Sequence, residues 1–533
     1  MTGGYITLKK HGKFMGLGYL TLGLILACFA GCTQSIERES GNQQIEQKLD
    51  HHKEVSPLQN KKNQRTKRQQ GQSSQQGKLP PAFGGTVGLD PLLLGSELLG
   101  CPTDHSLIIN VVPHQELEVF FEYGTAPGVY TMNTKTHSVS AQTPVEVVMD
   151  NLQPDKRYYY RMRYCAPGDS DFQARDEFSF HTQRSPGSTF TFALQGDSHP
   201  ERAHQNDPKL YARTLQNAAV DRPDFYLTIG DDFSIDTLKS VTPETITQMY
   251  VNQRRYLGIV GNSAPVFLIN GNHEQGAAYL LDGTPNNPAV WVQNARNRYY
   301  PQPAPDEFYS GDAQPVDHIG LLRDYYAWEW GDALFVVIDP YWHSTVPVDN
   351  RLDGGDKVED KWDITLGDVQ YQWLKKTLGE SEATFTFVFT HQVLGTGRGG
   401  IGLADLYEWG GKSRNGTWEF GTKRPDWELP IHQLMVQHGV TVFFHGHDHL
   451  FAKEELDGVI YQELPLPADP AYTLYNANAY PTGMTFPNSG HVRVTVSASK
   501  VQVNYVRAWL PEDQTNGHLN GEVAYSYTIE AKR

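Results

Sequence analysis

Five times between residues 189 and 449 of this 533-residue chain, an apolar run of strand length ends in a short motif of Asp, Asn and His. Residues 189–194 lead to Gly196-Asp197-Ser198-His199, residues 224–229 to Gly230-Asp231, and residues 265–269 to Gly271-Asn272-His273-Glu274. Residues 385–390 lead to His391, and residues 441–444 to Gly446-His447-Asp448-His449. Uninterrupted apolar runs predict strands covered on both faces. Helical patterns between them, at 208–219 and through Val369, Trp373, Leu374 and Leu378, predict an α/β arrangement. Motifs just past the C-terminal ends of such strands converge where α/β sheets hold their ligands. Together they supply enough ligands for two metal ions that share one bridging carboxylate. Carboxylate and imidazole in combination suit Zn, Fe or Mn better than Ca.

The length allows two or three domains. The net charge of −16 is unevenly spread: residues 1–80 hold 12 basic and 5 acidic side chains, about +7, which leaves about −23 on the remainder. A body that acidic predicts no nucleic-acid scaffold binding, because phosphate backbones favour basic surfaces. A metal pair can still bind one phosphate locally, since bound cations dominate the field of their own site.

Residues 1–31 read as a signal peptide. Lys9, Lys10 and Lys13 precede a mostly apolar stretch that ends in Phe29-Ala30-Gly31-Cys32, which resembles a bacterial lipobox. Cleavage would leave Cys32 as a lipid-carrying first residue, so the predicted location is exported and lipid-anchored, at the outer membrane, in the periplasm or on the cell surface. Residues 32–85 are Gln-, Asn-, Lys- and Ser-rich without apolar periodicity, and read as a flexible tether. Of four cysteines, Cys101 and Cys165 remain in the body, in a compartment that permits a disulfide between them.

Residues 86–185 alternate in short strands such as 117–123 and 158–164. Leu152-Gln153-Pro154 ahead of Tyr158 and Tyr160 resembles the tyrosine corner of fibronectin type III sandwiches. The fold class is therefore multidomain, all-β plus α/β: a β-sandwich at 86–185, a metal-binding domain at 188–510 and a C-terminal strand or tail at 511–533.

The five motifs resemble those of the calcineurin-like metallophosphoesterase superfamily. The preceding sandwich, and the stretch Tyr325-Tyr326-Ala327-Trp328-Glu329-Trp330-Gly331-Asp332, make the purple acid phosphatase group the nearest likeness. That resemblance implies a four-layer α/β/β/α sandwich and a phosphoester substrate. It implies that Asp197, His199 and His449 hold a first metal, that Asn272, His391 and His447 hold a second, and that Asp231 bridges both. It implies hydrolysis of phosphate mono- or diesters by a metal-bound hydroxide, with His273 as general acid, Glu274 orienting it and Asn272 also facing substrate. The chain departs from the group at two coupled positions. Ser234 stands where a Tyr colours the iron, and His199 stands where Gly is usual. A colourless centre of Fe, Zn or Mn follows.

Other residues are ambiguous. Arg398, in a Gly-rich loop after His391, could fork onto a phosphate. His445 reads as packing, and Asp232 and Asp448 as solvated or as supports for the ligands. The Pro-, Asn- and Tyr-rich stretch after Glu274 and the segment Tyr407-Glu408-Trp409-Gly410-Gly411 are expected to wall the pocket. The competing reading is a lipid-anchored surface binding protein with an inactive phosphoesterase scaffold. The complete ligand set favours an enzyme.

Overall fold

The computed structural model describes residues 87–533 apart from 275–280, 349–358, 395–396, 516 and 533, so the expected signal, Cys32 and tether lie outside the described residues. All described residues belong to one unit, Gln76–Arg533.

The alternating pattern of the first region does build a β-sandwich. Leu98–Gly100, Leu107–Val111 and Val145–Met149 form one antiparallel sheet, and a second is centred on Leu117–Gly124 and Arg157–Cys165. Phe121, Tyr158, Met162 and Phe180 fill the space between them. The tyrosine corner is made by Tyr158, whose hydroxyl accepts the Gln153 N–H at 2.9 Å. Tyr160 points elsewhere: its hydroxyl donates to the Asn262 carbonyl at 2.7 Å and ties the sandwich to the next domain. Cys101 and Cys165, whose pairing the sequence left open, are free thiols. Cys101 sits against the core of the following domain, and Cys165 ends a sandwich strand with its thiol directed at the Asp169 carbonyl.

The apolar runs that follow become two packed sheets. The first has the order Val266–Leu268, Phe225–Thr228, Phe190–Gln195, Gly490–Ser497, Lys500–Arg507, Val523–Glu530. It therefore continues past residue 510, with Val523–Glu530 as its edge. The second, of eight strands, has Ala333–Val337, Phe385–Phe389, Val442–His445 and Val459–Glu463 parallel at its centre. Between the sheets lies an aromatic layer. Phe192 and Phe225 each meet Phe335 edge-on at 5.1 Å, and Phe267 stacks on Trp328 at 4.4 Å. Each such ring contributes about 1.5–3 kcal/mol by burial.

Helices cover the outer faces and complete four layers. Pro208–Val220 starts at Asp207, whose carboxylate accepts two backbone N–H groups, and packs with Pro243–Gly261 on the first sheet. Gly367–Glu380 covers the second sheet through Gln370, Tyr371, Leu374 and Leu378, while Val369, expected on that face, is 63% exposed. The segment Tyr407–Gly410, expected as a pocket wall, packs behind the second sheet, with Trp409 wholly buried in the core and its Nε1 on the Tyr461 hydroxyl at 2.7 Å. The stretch after Glu274 contains the buried helix Pro288–Tyr299, whose Arg296 donates to the Leu268 carbonyl at 2.7 Å and so buttresses a central strand.

The two domains are joined through a wholly buried Arg254. Its guanidinium donates to Asn110 Oδ1 at 2.8 Å and to the carbonyls of Leu94, Asn110, Ser96 and Tyr299. Burial lowers its pKa to about 10.

Candidate metal centre

All five motifs leave the sheets at one end, because the strands that carry them are parallel within each sheet. Two glycines set how closely the loops approach. A Cβ on Gly271 would lie 2.2 Å from Asp231 Oδ1, and one on Gly446 would lie 2.8 Å from Asp197 Oδ1 and 2.5 Å from Ile229 Cγ2. The loops themselves are strained: His199, Asp231, His447 and His449 all take positive φ, between 38° and 81°. Strained backbone of this kind persists where surrounding structure forces it, typically at functional sites.

The motifs make three overlapping clusters. Asp197, His199 and His449 place one donor atom each within 4.8 Å of one another, as do His199, Asp231 and His273, and as do Asp231, His391 and His447. His449 Nε2 is 2.9 Å from Asp197 Oδ2, and His391 Nε2 is 3.2 Å from Asp231 Oδ2. Asn272 Oδ1 lies 2.9 Å from His391 Nε2 and 3.0 Å from His447 Nδ1. His199 Nε2 stands 3.9 Å from Asp197 and 3.7 Å from Asp231, is buried, and has no hydrogen-bond partner. A buried nitrogen facing two carboxylates at more than hydrogen-bond distance fits a cation between them.

Several of these side chains are oriented from behind. His391 Nδ1 donates to the Ile229 carbonyl at 3.0 Å, which turns Nε2 to the site. His199 Nδ1 lies 3.2 Å from the Ser234 hydroxyl and 3.4 Å from Glu201. The two coupled departures in the sequence are thus in contact with each other. Gln205 supports His449 at 3.1 Å. Asp231 Oδ1 accepts the His273 N–H at 2.9 Å, and Asp197 Oδ1 accepts the His447 N–H at 3.0 Å.

Charge follows from burial. Burial disfavours ionised carboxylates, yet the surrounding imidazoles hold Asp231 and Asp197 well below the usual range. Burial also opposes protonation of His391, but Asp231 and Asp197 raise it to about 9, so a metal competes there with a proton. Burial lowers the pKa of His199 and His447, which favours the neutral imidazole that can bind a metal. Asp232 is buried rather than solvated. It accepts the Thr228 hydroxyl at 2.8 Å, and burial, aided by the charges of Asp231 and Asp197, pushes it up to about 7.

His273 lies beside the cluster, with Nε2 3.8 Å from Asp231 Oδ2. Glu274 does not orient it. That carboxylate accepts the backbone N–H of Asp231 at 3.0 Å and of Gly271 at 3.1 Å, and so locks two motif loops together. Asp236 holds His273 Nδ1 at 2.8 Å, and the Arg202 guanidinium lies 3.0 Å from Nε2. Neither residue stood out in the sequence. Arg202 follows His199 by three positions and Asp236 follows Asp231 by five, in loops with no period to mark them. Arg398 reaches the His447 carbonyl at 2.5 Å and Asp448 at 3.1 Å, with its side chain 44% exposed at the rim. Asp448 is buried and also accepts the Tyr480 hydroxyl. His445 is buried 2.7 Å from Glu463, facing away from solvent as packing would have it.

Residues 190–451 match the family model of the calcineurin-like phosphoesterases. No curated protein sequence matches the chain. Among solved structures, that of PhoD matches with TM-score 0.56 at 15% identity, over 82% of this chain and 90% of that one. A purple acid phosphatase, PPD1 from yellow lupin (Lupinus luteus) seeds, matches with TM-score 0.52 at 16% identity, over 81% and 74%. At those identities the likeness is one of fold. The family model identifies residues 190–451 as a calcineurin-like phosphoesterase domain, and the clustered Asp and His side chains fit the metal dependence of such a phosphoric ester hydrolase.

Proposed function

We propose that the chain hydrolyses phosphate mono- or diesters outside the cytoplasm, held to a membrane by lipid on Cys32. The observation that carries the catalytic part is that Asp231 belongs both to the cluster around His199 and to the cluster around His391 and His447. In this reading Asp197, His199 and His449 hold one ion, Asn272, His391 and His447 hold the other, and Asp231 lies between. The donor set suits Fe, Zn or Mn, and Ser234 in place of a tyrosine leaves no tyrosinate colour. When bound, the two ions supply Lewis acidity at the phosphoryl oxygens and a water nucleophile near neutral pH.

The chain's own residues do the rest. Asp236 accepts a hydrogen bond from His273 Nδ1–H and so favours the protonated ring, whose Nε2–H can then be given to a departing oxygen in place of the contact with Arg202. Burial works against a protonated His273, but Asp231 and Asp236 outweigh it and raise its pKa above the ordinary value. Arg202, packed on His273, offers its guanidinium to a phosphoryl oxygen. Arg398 is a second cation at the rim, tethered by Asp448.

The test is hydrolysis by the full chain of 4-nitrophenyl phosphate against bis(4-nitrophenyl) phosphate, with Asp231→Asn and His391→Gln as controls. Turnover that collapses in both variants supports the reading, and the substrate ratio places the enzyme as mono- or diesterase. Turnover unchanged in Asp231→Asn contradicts it. The anchor is tested by mass spectrometry of the N-terminal peptide after expression in a Gram-negative host. A diacylglyceryl group on Cys32 is expected, and an unmodified Cys32 would refute it.

A further inference from the structure

A second group of acids and imidazole lies outside the site just described. Asp324 lies two residues before the strand Tyr326–Trp330, and His343 follows Ala333–Val337. Those strands are antiparallel with Tyr326 opposite Val337, so residues before the one and after the other meet. Asp312 joins them, and one donor atom from each of the three lies within 4.8 Å of the others.

Several features of this cluster call for a cation. Asp312 is buried, and the Asp324 side chain is wholly so, while that of His343 is 20% exposed. Asp324 Oδ2 is 2.9 Å from His343 Nε2, but the other oxygen, Oδ1, is sealed from solvent with no hydrogen-bond partner. Leaving a buried acceptor unpaired costs about 1–3 kcal/mol, and more for a charged one. Among the described residues no Lys or Arg forms an ion pair with either aspartate, and the adjacent Arg323 turns to the Gln302 carbonyl. A third buried carboxylate, Asp339, also faces His343. Its oxygens are taken by Asn270 Nδ2 at 2.6 Å and by the backbone N–H groups of Tyr341 and Trp342. Even a protonated His343 leaves the cluster with excess negative charge. Burial, and then the charge of Asp324, raise the Asp312 carboxyl above its ordinary value.

We propose that Asp312, Asp324 and His343 form a separate, mononuclear site for one divalent cation of the Zn or Mn kind. Two carboxylates and a neutral imidazole balance a doubly charged ion and match its preference for mixed oxygen and nitrogen donors. A metal in the place of the His343–Asp324 proton also gives the orphaned oxygen a partner. His343 lines an open surface groove of about 430 Å³ together with Trp362, Thr365 and Asp368, which provides an entry path. The site has a structural purpose. It fastens the stretch that follows Glu274 to the edge of the second sheet. Asp339, whose charge is felt by His343, separately holds Asn270 beside the loop that carries Asn272.

The probe is Mn²⁺ with the full chain. Anomalous diffraction at the manganese edge is expected to give a peak ringed by Asp312, Asp324 and His343. No peak there, at a concentration that fills the cluster around Asp231, overturns the proposal. In solution, Asp324→Asn and His343→Gln are each expected to bind about one Mn²⁺ fewer per chain than the wild type. Equal metal content overturns it too. Should Asp324→Asn fail to fold, His343→Gln at its partly exposed position carries the solution test, and diffraction from the wild type decides independently. Neither readout depends on hydrolysis, so failure here is distinguishable from failure of the proposed activity.

Discussion

Removing the His273 side chain should alter the enzyme's sensitivity to its leaving group as well as its rate. The reasoning rests on two distances: His273 Nε2 lies 3.8 Å from Asp231, and Asp236 holds Nδ1 at 2.8 Å. A positioned general acid contributes roughly 10²–10⁴-fold, about 3–5 kcal/mol. That contribution is needed when an alkoxide or a phenoxide of pKa about 10 departs, and largely wasted on a nitrophenoxide. His273→Ala should therefore lower kcat on phenyl phosphate by about 10²-fold or more, yet lower kcat on 4-nitrophenyl phosphate by less than about 10-fold. Asp236→Asn keeps the shape and removes one charge-assisted hydrogen bond, worth about 1.5–3 kcal/mol. Asp236 is 24% exposed on its side chain, so the lower end of that range applies, about a 10-fold loss on the phenyl ester. The assay is kcat for a series of aryl phosphates at saturating metal, plotted against leaving-group pKa. A steeper slope in both variants is expected. An equal loss on every ester, the pattern of a damaged metal ligand, would refute the assignment of His273 as proton donor.

Three further outcomes follow. Gly446→Ala puts a methyl 2.8 Å from Asp197 Oδ1 and should weaken metal binding about 10–100-fold, read by chelator competition, with little change in folded content. Asp221 is held below its ordinary pKa; burial opposes this, but His491 at 2.8 Å and Arg493 at 2.6 Å prevail. Its folded pKa lies below the unfolded value near 3.8, so its contribution is complete above that pH and lost as pH falls through the folded value. Denaturant melts of Asp221→Asn should accordingly show a smaller loss of stability on acidification. Arg254→Met strands five buried oxygens at the domain junction and should destabilise by about 3 kcal/mol or more, seen as a lower Tm with kcat unchanged below it.

The strand-to-motif junctions were legible in the sequence because two strong signals coincide there. An unbroken apolar run such as residues 385–389 admits few readings, and a His or Asp just beyond it has few reasons to be buried. The tyrosine corner was legible in the same way, since Leu152, Pro154 and Tyr158 have fixed spacing. Residues that act through a neighbour were not legible. Asp236, Arg202 and Gln205 sit in loops where any polar residue is ordinary, and only the fold brings them to His273 and His449. Val369 was misjudged because apolar character does not reveal which way a helix turns once Gln370 bonds the Asp339 backbone and takes the buried position. The aromatic segment at Tyr407 was misjudged for a related reason. Trp409 fills the space behind the second sheet, and composition cannot separate a pocket wall from a core.

The most direct test of the account is the initial rate of bis(4-nitrophenyl) and 4-nitrophenyl phosphate hydrolysis as Mn²⁺, Zn²⁺ or Fe²⁺ is returned to the fully chelated chain. The account predicts no turnover in chelator and a rate that rises only as both positions flanking Asp231 fill. It predicts no recovery at any metal concentration in Asp231→Asn. Full turnover in chelator, or none with both positions occupied, would contradict it.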